Sequence, residues 1–189
     1  MIIKEIENLL TKDDCQTLID YSKAQLKKLT TIGENNNYRV GDGTWVLSPV
    51  IDNSGVDLNK KIKQIVQEHT SLPIENQEAI HIVHYEIGGE YKEHHDFFHA
   101  NTQDYNMHIN RGGQRTYSFL FYLNDEFEGG GTKFVKKDIT IIPKTGKGLL
   151  WSNLNEDGSL DYDSMHSGLP VAAGNKWIAI VWIRQKRFI

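Results

Sequence analysis

Hydrophobic and polar residues follow two different periods along the chain, and the period changes near Pro73. Before that point, apolar residues recur every three or four positions, which is typical of amphipathic helices that pack one side on a core. The first helix is predicted over about residues 12–29, with Thr11 and Asp14 placed to form a capping box at its start. A second helix is indicated from Val56 to Val66, and its apolar side is also expected to cover a sheet.

After Pro73 the apolar runs become short and are separated by turn residues, a pattern that predicts strands. The predicted strands are Ala79 to Glu86, Tyr91 to Phe97, Thr116 to Leu123, Lys133 to Val135, Ile139 to Ile142, Gly148 to Trp151 and Trp177 to Ile183. Many short strands after two helices favour an α+β, mainly β fold, namely a double-stranded β-helix (jelly roll) buttressed by N-terminal helices. We expect one domain over residues 1–189, with a helical part of about 1–72 and a jelly-roll part of about 73–189.

Two polar segments interrupt these elements. The glycine- and asparagine-rich stretch from Gly33 to Gly43 predicts a mobile loop. The segment from Phe98 to Gln114 is long and poorly patterned, and a loop of that length in a compact domain is usually functional or disordered. Because it lies between a candidate metal-binding strand and Arg115, we interpret it as a lid over a substrate.

Charge and cysteine content narrow the function classes. The chain has 21 basic and 25 acidic residues, a formal charge of −4, so no basic field for nucleic acid is expected. The single Cys15 forms no internal disulfide, which suits a reducing compartment. No apolar run approaches the roughly 20 residues that span a bilayer, and no signal peptide is evident. A cytoplasmic protein without a membrane partner is the prediction; the oligomeric state is left open.

The candidate chemistry begins with His94 and Asp96. Residues two apart in a strand point to the same side, so these two side chains are expected to project together while His95 points away. A histidine from a distant strand, His166, would complete a 2-His-1-carboxylate set, which leaves metal positions open and is typical of non-haem Fe(II) oxygenases. Ten positions beyond His166 lies Lys176, within an apolar strand where a buried ammonium requires an anionic partner.

Seven sequence blocks, in order, resemble the prolyl 4-hydroxylase family of 2-oxoglutarate and Fe(II)-dependent dioxygenases. The blocks are Tyr85, Tyr91, His94 and Asp96; Gly112 to Arg115; Tyr122 to Asn124; Gly130 to Thr132; Pro143 to Gly146; His166 to Val171; and Gly174 to Trp177. A looser match is the segment from Tyr38 to Trp45. The chain departs from the family pattern at Gly131, where Glu is common, and at Trp151, where Phe is usual.

The resemblance implies a role for each matching position. The metal ligands for Fe(II) would be His94, Asp96 and His166. The cosubstrate 2-oxoglutarate would be held by Lys176, Tyr85 and Thr132, with Lys176 on its distal carboxylate. The peptide-substrate side would be lined by Arg115, Tyr91 and Trp182.

By the same resemblance, the expected activity is 4-hydroxylation of proline in a peptide or protein. The reaction uses O2 and converts 2-oxoglutarate to succinate and CO2, with ascorbate as a reductant of the kind that this family uses. Two alternatives stay open: a 2-oxoglutarate oxygenase that acts on another residue or a small molecule, and a non-catalytic jelly-roll binding protein that retains a metal. The substrate is expected to lie between the Gly33–Gly43 loop and the 98–114 lid.

Overall fold

The computed structural model describes residues 1–29 and 38–189. Its helices and strands lie in the order β1 (Ile3–Ile6), α1 (Lys12–Lys23), β2 (Lys27–Lys28), β3 (Arg39–Val40), β4 (Asp42–Val46), α2 (Leu58–Thr70), β5 (Ile80–Tyr85), β6 (Glu90–His94), α3 (Tyr105–Asn110), β7 (Arg115–Tyr122), β8 (Phe127–Gly129), β9 (Thr132–Phe134), β10 (Ile139–Ile141), β11 (Gly148–Ser152), β12 (His166–Gly168), β13 (Val171–Gly174) and β14 (Lys176–Arg184). Short 3-10 turns occupy Ile74–Asn76, Val135–Lys137 and Tyr162–Ser164. No helix in these described ranges is long and apolar enough to cross a membrane.

The strands form two facing antiparallel sheets, as in a jelly roll. The larger sheet has seven strands in the order β1-β11-β7-β14-β5-β4-β2, and the smaller has five in the order β10-β9-β12-β6-β3. A separate pair joins β13 to β8. Neighbours in the large sheet come from distant parts of the sequence, so the fold depends on long-range pairing. The predicted mainly β jelly roll with N-terminal helices is confirmed.

The large sheet is buried on both faces because alternate residues of each central strand point to different cores. From β7, Phe119 and Phe121 pack with the helices, whereas Leu120 and Tyr122 belong to a second core that includes Phe134 of the small sheet. The helices therefore cover one face, and the small sheet covers the other. The space between the two sheets is where a jelly roll of this size holds its site.

The capping box predicted at the start of α1 is present. The Thr11 hydroxyl accepts a hydrogen bond from the Asp14 amide at 3.1 Å, and the Asp14 carboxylate accepts one from the Thr11 amide at 2.8 Å. The same carboxylate forms an ion pair with Lys61 of α2 at 2.6 Å. One side chain thus caps the first helix and joins it to the second.

Several predicted boundaries differ from the structure, and strand pairing explains most of them. The helix predicted over residues 12–29 ends at Lys23, because Lys27 and Lys28 pair with β4 as an edge strand. The 1–72 part, predicted as helical, also contributes β1, β2 and β4 to the large sheet and β3 to the small one. The predicted Gly33–Gly43 loop is wrong from Arg39 onward, where β3 and β4 begin, and its residues 33–37 lie outside the described ranges.

Candidate active site

Three side chains predicted as metal ligands converge at one end of the small sheet. Strand β12 pairs with β6 so that His166 lies directly opposite His94. The Nε2 atom of His94 lies 3.6 Å from Asp96 Oδ1, and that of His166 lies 3.8 Å from Asp96 Oδ2. One possible ligand atom from each of the three residues lies within 4.8 Å of the other two. His95 is not a member of this group, and its Nε2 atom instead lies 3.1 Å from the carbonyl oxygen of Tyr162.

The predicted placement of His94 and Asp96 on one strand is wrong. Strand β6 ends at His94, so Asp96 lies in the bend that follows and not two positions along the same strand. Its carboxylate reaches the histidines because the chain turns there, and because the Asp96 carbonyl accepts a hydrogen bond from Arg115 at 3.4 Å. The three predicted residues do lie together, although tertiary contacts and not a shared strand bring them there. Their role as metal ligands stays a prediction.

Hydrogen bonds at the far side of each ligand aim its free atom toward a common centre. The Nδ1 atom of His94 lies 2.7 Å from the Lys92 carbonyl, and that of His166 lies 2.9 Å from the Ser164 carbonyl. A carbonyl requires a donor, so both rings carry the proton on Nδ1 and leave the Nε2 lone pair for a metal. This donor set of two imidazoles and one carboxylate suits Fe(II).

The carboxylate of Asp96 is held by a buried chain of two further side chains. The Ser118 hydroxyl donates to Asp96 Oδ2 at 2.6 Å, and the Asn153 amide donates to the Ser118 oxygen at 2.9 Å. Because Ser118 occupies Oδ2, the other oxygen, Oδ1, is left for a metal. Sequence reasoning missed both residues, since a serine and an asparagine 35 positions apart carry no local signal.

The protonation states also suit metal binding. Burial, followed by the neighbouring His166, lowers the pKa of His94 to about 3, so its imidazole is neutral at pH 7. Burial by itself raises the pKa of Asp96, but His166 and then His94 outweigh it and lower that pKa to about 2. A neutral imidazole and an ionised carboxylate are the forms that bind a divalent cation.

Behind the metal ligands lies the residue predicted to bind the cosubstrate. Lys176, the first residue of β14, is only 2% exposed, and burial lowers its pKa to about 7. Within the described ranges no carboxylate comes within ion-pair distance of its ammonium, which lies 5.4 Å from the ring centre of Tyr85. A buried cation without an anion fits a ligand carboxylate.

The other two predicted cosubstrate residues lie in the same interior. Tyr85 is paired with Lys176 across β5 and β14. The Thr132 hydroxyl is 2.7 Å from the Tyr122 hydroxyl, and both side chains are buried. Tyr122 was not predicted as a site residue, although it belongs to a family-like block. The trio of Lys176, Tyr85 and Thr132 stays a prediction for cosubstrate binding.

A cleft of about 1110 Å³ opens over Asp96 and contains all three predicted substrate-side residues, Arg115, Tyr91 and Trp182. Tyr91 stacks on the ring of His94, a predicted metal ligand, with ring centres 3.5 Å apart. The Arg115 guanidinium lies 3.9 Å from the ring centre of Trp182, which places it in a cation–π contact. The proposed lid contributes to the walls of the cleft through Phe98, His99, Thr102 and His108, and it contains the short helix α3.

Arg115 is less free than the prediction assumed. It donates two hydrogen bonds to both oxygens of Glu78, at 2.7 and 2.9 Å, and a third to the Asp96 carbonyl. Glu78 also accepts from Arg184 at 3.0 Å. Three of the five N–H groups of Arg115 are thus committed within the protein, and two remain for a ligand. Glu78 and Arg184 were not predicted as site residues.

Comparison with known proteins agrees with this architecture. Residues 80–184 match the model of the 2OG-Fe(II) oxygenase superfamily. The chain is 32% identical to "Probable prolyl 4-hydroxylase 10" of Arabidopsis thaliana, over 94% of this chain and 66% of that protein. It is 30% identical to a candidate prolyl 4-hydroxylase of Acanthamoeba polyphaga mimivirus, over 97% of this chain and 74% of that protein. The viral collagen prolyl hydroxylase of Paramecium bursaria Chlorella virus-1 has the same fold, with a TM-score of 0.76, 23% identity, and coverage of 97% of this chain and 96% of that one.

Fold and site together define a 2-oxoglutarate and Fe(II)-dependent oxygenase. Within that class, the chain belongs to the prolyl 4-hydroxylase family. It spans about 66% of the length of the Arabidopsis relative, so the activity, substrates and partners of that whole protein come to this chain only as proposals.

Proposed function

We propose that this protein hydroxylates proline within a peptide or protein, with Fe(II), 2-oxoglutarate and O2. The observation that carries the proposal is the arrangement of His94, Asp96 and His166, with the unpaired cation of Lys176 in the interior and a peptide-sized cleft outside. Support also comes from the relatives, which are named as prolyl 4-hydroxylases. The cleft has the volume for a ligand of several residues.

When bound, Fe(II) and 2-oxoglutarate supply the oxidative chemistry, in which O2 and 2-oxoglutarate yield succinate, CO2 and one oxygen atom for a C–H bond. The protein's own contribution is to bind and orient. His94, Asp96 and His166 hold the metal on one side, and Lys176 pairs with a cosubstrate carboxylate in the interior. The aromatic walls at Tyr91 and Trp182 position the proline ring.

We extend the proposal to the setting of the reaction. A cytosolic location rests on the single cysteine, Cys15, which is buried and unsuited to a disulfide. Ascorbate as a reductant, a single catalytic domain and the absence of nucleic-acid and membrane partners stay predictions. The oligomeric state is left open.

The test combines product analysis with metal binding. The protein is incubated with Fe(II), 2-oxoglutarate and a set of proline-containing peptides; we expect succinate release and a gain of one oxygen on proline, seen by mass spectrometry. His166→Ala should lose Fe(II) binding and turnover, whereas the matched variant His95→Ala should keep Fe(II) binding. If free proline outperformed every peptide, a small-molecule oxygenase would be the better assignment. Absence of succinate release with every candidate substrate would favour a binding protein.

A further inference from the structure

The cleft over the metal ligands carries a charge opposite to that of the whole chain. The lysine and arginine side chains that line it are Lys27, Lys28, Arg39 and Arg115, and among the described lining residues Asp96 is the sole acidic one. Asp96 faces the metal, so the remaining charge of the cleft is positive. The chain as a whole has a formal charge of −4. A cationic cleft on an anionic protein concentrates negatively charged ligands.

Lys27, Lys28 and Arg39 form no ion pair among the described residues, and of these three Arg39 is the one with a buried side-chain donor. Arg115 is committed to Glu78, but no carboxylate in the described parts of the chain lies within 4.0 Å of Arg39. Its Nε atom is buried and has no hydrogen-bond acceptor. Buried donors are almost always paired in folded proteins, so the unpaired Nε donor of Arg39 at a cleft wall points to a ligand as the missing acceptor.

The position of Arg39 ties this missing acceptor to the reaction site. Arg39 pairs with Tyr91 across β3 and β6, and its guanidinium carbon lies 4.6 Å from the Tyr91 ring centre. The same ring stacks on that of His94, a predicted metal ligand, at 3.5 Å between ring centres. An anion on Arg39 would therefore be one side chain away from a metal ligand. Lys27 and Lys28 of β2 extend the positive charge along the cleft.

The acidic residues of this region lie in a different depression. Glu90 and Glu93 line a smaller cleft of about 490 Å³, which shares only Tyr38 and Tyr91 with the large one. Asp42, which pairs with Lys28 across β2 and β4, does not line the large cleft and is not in an ion pair with that lysine. The charge of Arg115 is paired with Glu78, whereas those of Lys27, Lys28 and Arg39 have no ion-pair partner among the described residues.

We propose that the cleft selects peptides that carry an aspartate or glutamate close to the target proline, with Arg39 as the residue that binds the acidic side chain. At roughly 3.3 Å per residue of extended chain, the acidic residue lies within about three positions of the proline. Lys27 and Lys28 strengthen the attraction at longer range. The identity of the proline as the reacting residue rests on the proposed function, whereas the charge preference concerns binding alone.

Binding is measured with three labelled peptides that differ at one position beside the proline, which is Asp, Asn or Lys. Fluorescence anisotropy is recorded without oxygen, with Fe(II) and 2-oxoglutarate present. We expect the Asp peptide to bind about fivefold more tightly than the Asn peptide, the order expected of one partly exposed ion pair, and the Lys peptide to bind least tightly. The advantage of the Asp peptide should shrink as salt is added.

Variants separate Arg39 from general charge. Arg39→Gln should remove the preference for Asp over Asn, and Arg39→Glu should reverse it toward Lys. The double variant Lys27→Gln, Lys28→Gln should reduce the preference in part and serves if an Arg39 variant fails to fold. The matched control is Arg187→Gln, which removes an exposed arginine outside the cleft and should leave the preference unchanged.

Each outcome decides one of the two proposals. Equal affinities of the wild-type protein for the Asp and Asn peptides would overturn the charge preference, even if both peptides were hydroxylated. If Arg39→Gln weakened all three peptides by the same factor, Arg39 would bind the peptide backbone and the preference would again be overturned. Selective binding of the Asp peptide without oxygen gain on any peptide would support the preference and count against proline hydroxylation.

Discussion

At the scale of single residues, the site depends on side chains that differ from their ordinary chemistry because they are buried. Lys176 is the main example: burial lowers its pKa to about 7, while the ammonium lacks a carboxylate partner in the described structure. A ligand carboxylate would stabilise the charged form and raise this pKa. Binding of 2-oxoglutarate is therefore expected to take up a proton whenever the free protein holds Lys176 neutral.

The first prediction follows from that linkage. Above pH 7 the free protein has lost the Lys176 proton, which must be taken up again when 2-oxoglutarate binds. The affinity for 2-oxoglutarate should therefore fall by up to about tenfold for each unit by which the pH is raised. Lys176→Met should weaken binding at least about tenfold at neutral pH and flatten this pH dependence. Calorimetric titration of the metal-loaded protein without oxygen measures both effects. The control is Lys147→Met, which removes another buried lysine whose charge is paired with Glu5 at 2.7 Å. Unchanged affinity in Lys176→Met would refute the assignment.

Ser118 gives a second prediction at this scale. Its hydroxyl holds Asp96 Oδ2 at 2.6 Å and leaves the other oxygen for the metal. Residues that orient a metal ligand usually contribute about 10–100-fold to metal affinity, so Ser118→Ala should weaken Co(II) or Fe(II) binding by that factor. The visible spectrum of the Co(II) protein should also change, since the carboxylate is free to rotate. Ser152→Ala removes a buried serine hydroxyl on the adjacent strand and should change neither property. Similar loss in both variants would indicate a general packing effect.

At the scale of elements, the fold depends on close contacts between segments that are far apart in sequence. Gly146 shows this for the docking of α1. Its carbonyl accepts hydrogen bonds from the amides of Leu9 and Leu10 at 2.9 and 3.2 Å, and its φ of +78° is in the left-handed region. A Cβ at this position would lie 2.1 Å from the Leu10 carbonyl oxygen. Only glycine allows the backbone at position 146 to lie this close to the Leu10 backbone, just before the start of α1.

We expect Gly146→Ala to lower the free energy of unfolding by about 3 kcal/mol, because a backbone clash is added to an unfavourable φ. Gly158→Ala is the matched control: its φ is +83°, but no atom lies within 4 Å of an added Cβ. This control should cost only about 1 kcal/mol, the effect of φ alone. Denaturant unfolding measures both values. Equal losses of unfolding free energy in the two variants would show that the Leu10 backbone can move away from the added Cβ without lowering stability.

The elements also show which local signals were sufficient. The seven predicted strands correspond to β5, β6, β7, β9, β10, β11 and β14, with ends that differ by up to three residues, because a short apolar run between turn residues is a local signal. Strands β1 to β4, β8, β12 and β13 were not predicted. The end of α1 was not predicted correctly. Residues 24–29 continue a helical pattern in sequence, but Lys27 and Lys28 pair with Gly43 and Asp42 in the folded chain. The lid was predicted as a loop, and it contains the short helix α3 at Tyr105–Asn110. At the end of α1, contacts outside the segment override its local preference.

At the scale of the whole molecule, one buried ionic network joins the strands to the lid. Glu78 pairs with Arg115 of β7 and with Arg184 at the end of β14. The Arg184 guanidinium also donates to the Gly113 carbonyl, at 3.0 Å from Nε, and to the His108 carbonyl in the lid. Burial opposes ionisation of Glu78, but Arg115 and then Arg184 lower its pKa below the usual 4.5. The network therefore fixes the cleft wall that Arg115 forms.

The last prediction is that Glu78→Gln lowers the free energy of unfolding by about 3–5 kcal/mol, since it leaves two buried guanidinium groups without an anion. The contribution of a carboxyl with a lowered pKa is present above its unfolded pKa of about 4.5 and is lost as the pH falls through the folded value. The variant should therefore lose this part of the acid dependence. Denaturant unfolding from neutral to acid pH tests both effects, with the exposed Glu75→Gln as control. A small, pH-independent loss would show that the network is not a major source of stability.

By itself, the sequence determined the class of fold and the family, and it identified the three residues that we expect to bind the metal. These rest on local information: the period of the apolar residues, and short blocks in which residue type and spacing carry the chemistry. His94, Asp96, His166 and Lys176 were recognised because each sits within such a block. The lowered pKa and 2% exposure of Lys176 agree with the buried position predicted from its apolar strand.

Only the tertiary structure decided how those residues are held and what surrounds them. Ser118 and Asn153 meet Asp96 through strand packing, and Glu78 meets Arg115 across 37 positions of sequence. Arg39 lines the cleft because the short strand β3 pairs with β6. Such neighbours depend on strand order and register, which are set by burial of two faces of a sheet over long sequence separations. A residue's partner is therefore a property of the folded chain, whereas its chemical type is a property of the sequence.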